Sequence, residues 1–143
     1  MDLFEEIVMT YLTKLDDHVF VRHQYPVKDG SPNNWRWPDF VALDFKEKIV
    51  SIVEVSTAYN IDRLAEKVNN RNDQWIIKIK EQLKAHNMID DSWNFIVKVF
   101  IREKRSGDFK KKVTDDNGVE IIELEDISFP WEYNIIKHRR KMT

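Results

Sequence analysis

An α/β fold with a mixed central sheet flanked by helices is predicted by two observations. Apolar residues recur at helical spacing in two separate stretches, and between and after them lie four runs rich in valine, isoleucine and aromatic residues that read as strands. Their order along the chain is helix, three strands, helix, strand, which suits helices packed on the faces of one sheet.

The first helix is predicted over residues 2–15, where Leu3, Phe4, Ile7, Val8, Tyr11, Leu12 and Leu15 form one apolar face. The run His18 to Tyr25 is the first strand, stopped by Pro26 and by the turn-forming stretch Asp29-Gly30-Ser31-Pro32-Asn33-Asn34. Trp37 to Asp44 is the second strand and Ile49 to Ser56 the third, and the short polar link between them makes a hairpin. Asn60 is placed to cap a second helix in which Leu64, Val68, Trp75, Ile79 and Leu83 stay in phase, so one long helix to about Ala85 is expected. Trp93 to Arg105 is read as a long fourth strand turning at Ser106-Gly107-Asp108. A further hairpin is expected around Asp115-Asp116-Asn117-Gly118, with Val119 to Leu124 as its second strand, and Trp131 to Lys141 as a short helix.

Composition narrows the chemistry. The 143 residues suit one domain, 42% hydrophobic and 12% aromatic, with three glycines and five tryptophans. The absence of cysteine excludes disulfides, thiolate zinc sites and cysteine nucleophiles. Neither a signal peptide nor a membrane-spanning apolar run is visible, so a soluble cytoplasmic protein without a membrane partner is expected. The net charge of −2 conceals an uneven distribution. Lys98, Arg102, Lys104, Arg105, Lys110, Lys111 and Lys112 face only Glu103 and Asp108 in the same stretch, seven basic against two acidic side chains. A second basic cluster, His138-Arg139-Arg140-Lys141, closes the chain. Such segments are either solvated surface or a face for phosphates.

The stretch WRWPDFVALDFKEKIVSIVEVS, residues 35–56, carries the sharpest signal. Glu54 sits among Ile52, Val53 and Val55, where an ionised carboxylate is costly unless paired. Asp39 starts the strand that pairs with it. The hairpin can bring both carboxylates to one end of the sheet, and oxygen ligands of this kind, completed by water and a substrate phosphate, suit magnesium. His18 and His23 stand five apart on a strand and so face opposite sides, which argues against joint metal ligation.

Pro38-Asp39 and Glu54-Val55-Ser56, with fourteen residues between Asp39 and Glu54, resemble the motif of the PD-(D/E)XK nucleases, the restriction-endonuclease-like superfamily. The resemblance covers about residues 2–101, and the chain is similar in size to the archaeal-type Holliday junction resolvases. It implies a restriction-endonuclease-like core with an added basic hairpin and tail over residues 102–143. It also implies a nuclease dependent on Mg2+ or Mn2+ that hydrolyses phosphodiester bonds in DNA, branched or junction DNA included, with RNA left open and a homodimer as one arrangement. Asp39 and Glu54 would hold the metal with the carbonyl of Val55. Glu5, followed by Val8 and Leu12, would take the place of the family's first-helix glutamate better than Glu6. Ser56 stands where the family carries lysine, and Lys67, then Arg63, are candidates to supply the missing charge from the next helix. Arg36 and the basic residues from Lys98 to Lys112 would meet the nucleic acid, and Trp35 and Trp37 could stack on a base. A nuclease fold that only binds nucleic acid, and a subunit whose long hairpin pairs with a partner protein, are the competing expectations.

Overall fold

The computed structural model describes residues 1–14, 19–28 and 36–128. The expected turn at residues 29–34, Trp35, the expected helix from Trp131 to Lys141 and the basic cluster at 138–141 lie outside the described residues.

Helix α1 (Leu3–Lys14) is followed by strands β1 (Val19–His23), β2 (Phe40–Asp44) and β3 (Ile49–Ser56). Next come α2 (Asp62–Asn69), a π-helical segment (Asn72–Ile76) and α3 (Ile77–Ala85). Strand β4 (Asn94–Ile101), helix α4 (Glu103–Lys112), strand β5 (Val119–Glu123) and the short helix α5 (Leu124–Ser128) complete the described chain. The strands form one sheet in the order β1-β2-β3-β4-β5. Its first three strands are antiparallel, and β3, β4 and β5 are parallel.

Strand alternation divides the core between the two faces of the sheet. On one face Val41, Leu43, Val50, Ile52, Val97 and Val99 meet Leu64, Val68, Trp75, Ile79 and Leu83 of the long helical run and Phe109 of α4. On the other, Phe40, Val53 and Phe100 pack on Val8 and Leu12 of α1 and on Leu124 and Ile127. The long helix is continuous in its apolar stripe but not in its hydrogen bonding. It turns at Asn70 and resumes through π-helical residues, which lets both Gln74 and Trp75 become buried.

The second half of the chain corrects the sequence reading. No basic hairpin follows β4: the strand stops at Ile101, and Ser106-Gly107-Asp108 lies within α4. The segment Glu-Lys-Arg-Ser-Gly-Asp-Phe-Lys-Lys-Lys is rich in good helix formers, has Glu103 in the first turn and Lys110 to Lys112 in the last, and buries Ser106 and Phe109 three apart. Gly107 is tolerated at an exposed position, where a side chain would meet nothing within 4 Å. β5 then runs parallel to β4, a pairing that requires a crossover rather than a tight turn. The turn before it uses Gly118 at φ 75°, a left-handed conformation favourable to glycine. No helix among the described residues is long and apolar enough to cross a membrane.

Candidate metal and phosphate site

The site lies where β2 begins and β3 ends. Phe40 pairs with Val53 in the antiparallel register, so one step further places Asp39 opposite Glu54. Both side chains fall on the face that carries Val41 and Ile52. Asp39 is held in place by its own backbone and carboxylate. Its carbonyl accepts the amide of Gln24 at 2.7 Å, and its Oδ2 accepts the amide of Val55 at 2.7 Å. Gln24, the residue after β1, makes the first of these bonds at φ 50°, so a left-handed residue supports the Asp39 backbone.

Glu54 is 7% exposed, and its Oε1 has no hydrogen-bond partner among the described residues. Burial pushes its carboxyl well above the ordinary glutamate range, and the neighbouring Asp39 pushes further in the same direction through its charge and a hydrogen bond. Lys67 opposes the shift and Glu5 adds to it, so three charged groups from separate parts of the chain act on one carboxyl.

The pH dependence follows from the direction of the shift. Below about pH 4 the folded and unfolded chains both carry the Glu54 proton and the group is neutral to stability. As pH rises the unfolded chain releases the proton first, so stability falls up to the raised native value and then levels off. Glu54→Gln is therefore expected to stabilise the protein by about 1–3 kcal/mol above neutral pH, and less near pH 4. Thermal melts of both proteins at pH 4 and 8 check this; an unchanged midpoint at pH 8 contradicts the costly burial.

Glu5 is half-buried while Glu6 is exposed. The Glu5 carboxylate accepts a hydrogen bond from His23 Nε2 at 2.9 Å, and the imidazole lies 5.2 Å from the Phe40 ring, centroid to centroid. The sequence reading set His23 aside as a metal ligand and missed this role in orienting Glu5; partners eighteen positions apart on different elements leave no local signal. Ser56 Oγ accepts the amide of Ala58 at 3.2 Å. Lys67 is half-buried on α2 and lines a cavity of about 310 Å³ with Arg63 and Arg36.

The basic residues from Lys98 to Lys112 have different surroundings. Lys98 lies inside the sheet opposite Val53, on the α1 side, lining a cavity with Leu12, Asp44 and Ser51. Arg102 meets Glu125 at 3.4 Å, Arg105 stacks 3.7 Å over the ring of Tyr59, and Lys112 pairs with Asp62. Lys104, Lys110 and Lys111 are exposed on α4. Trp37 packs on the core, which accounts for it without a base.

Among the described residues no group of three or more histidine, aspartate and glutamate side chains is gathered as a metal site. Asp39 and Glu54 nonetheless fit a hard cation. Magnesium is held by one or two carboxylates with water and phosphate in its other positions, and the Glu54 Oε1 is a buried acceptor with no hydrogen-bond partner among the described residues. Comparison with protein-family models, with curated proteins and with solved structures gives no match.

Proposed function

We propose that this chain is a nuclease of the restriction-endonuclease-like kind, dependent on Mg2+ or Mn2+, that hydrolyses phosphodiester bonds in DNA. The observation that carries the reading is the buried Glu54 facing the half-buried Asp39 where β2 begins and β3 ends, with a Glu54 Oε1 that has no hydrogen-bond partner among the described residues. The element order, with helix α1 ahead of the three antiparallel strands, supports the same reading.

Asp39 and Glu54 would hold the cation, with the carbonyl of Val55 at the same strand end. A divalent ion there supplies polarisation of the phosphate and a more acidic bound water. The protein's own part is to orient and to balance charge. The amide of Val55 fixes the direction of the Asp39 carboxylate, so its second oxygen is preset rather than searched for at each turnover. Lys67 brings positive charge toward Glu54 from α2 and takes the place left by Ser56 in meeting charge on the phosphate. Glu5, oriented by His23, adds a further acceptor at the edge of the site.

Ser56 favours a second reading, a nuclease fold that binds nucleic acid without cutting it. A hydroxyl engaged with the Ala58 amide brings no positive charge to a phosphate. Incubation with four-way junction, duplex and single-stranded DNA and with RNA, in Mg2+, Mn2+ or EDTA, separates the two. Cleavage that needs the metal supports the nuclease. Salt-sensitive binding without cleavage of any substrate supports the binding module, and neither binding nor cleavage sets both readings aside.

A further inference from the structure

The cavity behind Lys67 is a site in its own right. It encloses about 310 Å³ and is lined by Arg36, Arg63, Lys67, Glu66, Asp73 and Gln74 among others. That volume stands at the lower end of the range for small-ligand pockets, about 300–1,000 Å³. Gln74 comes from the π-helical segment, is 6% exposed, and has an Nε2 with no hydrogen-bond partner among the described residues. π-Helical turns are often kept where a helix must turn a side chain toward a site. Arg36, which lines this cavity, stands three residues before Asp39 in the chain, and Lys67, which also lines it, acts electrostatically on Glu54, so the cavity lies on the side of the carboxylate pair.

We infer that the cavity holds one nucleotide unit of the substrate, the one next to the phosphate addressed by Asp39 and Glu54. The inference rests on the nuclease reading for its place on the substrate, but the binding itself can be tested without it. The lining argues for a nucleotide over a bare phosphate. Arg36, Arg63 and Lys67 supply charge for a phosphate. Glu66 and Asp73 would repel an inorganic phosphate, yet they accept hydrogen bonds from the amino, imino and hydroxyl groups of a base and sugar. The Gln74 amide, a donor without an acceptor among the described residues, is matched by a ligand oxygen or ring nitrogen. Asp73 is tied to the cavity from behind, since its carbonyl accepts Arg36 Nη1 at 3.3 Å.

The test is titration of the full chain in EDTA with deoxyguanosine 5′-monophosphate, inorganic phosphate and deoxyguanosine, followed by NMR or calorimetry. The nucleotide is expected to bind at least about tenfold more tightly than either of its parts. Gln74→Leu keeps the side-chain bulk and removes the unpartnered amide, so the fold should melt no lower while nucleotide affinity drops roughly tenfold. Arg63→Gln should weaken the nucleotide and leave deoxyguanosine unchanged, a split that a purely structural role does not produce. Phosphate binding as tightly as the nucleotide, or a Gln74→Leu protein with unaltered affinity, overturns the inference. With no divalent ion present, nucleotide binding by a protein that never cuts keeps the cavity assignment and removes the nuclease. Cleavage by a protein that ignores the nucleotide does the reverse.

Discussion

Asp39→Asn is expected to lower DNA cleavage at least about a thousandfold while leaving substrate binding within a few-fold of the parent. A divalent ion contributes several kcal/mol to stabilising charge in phosphoryl transfer, and about 4 kcal/mol is a thousandfold in rate. Asparagine preserves the size of the side chain, and its amide oxygen can still accept the Val55 hydrogen bond seen at 2.7 Å. The strand end therefore stays in place and the change falls on charge. Single-turnover cleavage beside binding measured in Ca2+ or EDTA separates the two effects. A variant that cuts normally removes Asp39 from the chemistry. Glu54→Gln should lose cleavage similarly yet gain thermal stability, and the opposed signs distinguish a site that stores unfavourable burial from a merely structural residue.

Trp75→Ala is the substitution expected to cost most in stability, about 3–5 kcal/mol. The indole is completely buried, in the core that joins the long helical run to the sheet. That loss is a large fraction of the 5–15 kcal/mol typical of a folded domain. Trp75→Phe should cost much less. It keeps most of the apolar ring and removes an indole Nε1 that finds no acceptor among the described residues. Urea denaturation of the three proteins measures the difference, and equal midpoints for the alanine and phenylalanine variants would contradict the packing argument. Trp75 also anchors the π-helical segment that carries Asp73 and Gln74. Nucleotide binding should consequently weaken in Trp75→Ala even at temperatures where that protein is folded.

Much of the first hundred residues was legible from side-chain periodicity. The helix expected over 2–15 is α1 within the described residues, and Ile49 to Ser56 is β3 with the expected bounds. These elements bury one apolar face, or in β3 the five residues from Val50 to Glu54, so local composition and final environment agree. The same reasoning failed after Ile101 because local signals there compete. Gly107 between Ser106 and Asp108 has the composition of a turn, and the lysines that surround it show no apolar stripe wide enough to announce a helix. Phe109, with Ser106 one turn before it, decides the matter by joining the core that also holds residues of α2 and α3.

The long helix shows a subtler limit. Its apolar phase from Leu64 to Leu83 was readable, but the turn at Asn70 and the π-helical residues after it were not. An extra residue in a helical turn changes which neighbours become buried, and here it carries Gln74 inside along with Trp75. Nothing in the local pattern marks a glutamine for burial, since its environment is made by the cavity wall and not by its neighbours in sequence.

By itself the sequence determined the alternation of helices and strands as far as Ile101, the α/β class, and the oddity of a glutamate set among valines and isoleucine. Each depends on residues within a few positions of one another. Only the tertiary structure decided that β5 runs parallel to β4, that the basic segment is a helix, that Asp39 stands opposite Glu54, and that His23 reaches Glu5. Strand direction and register are settled by the packing of distant segments against a shared core. The energy that chooses among them is thus spread over pairs of residues far apart in the chain.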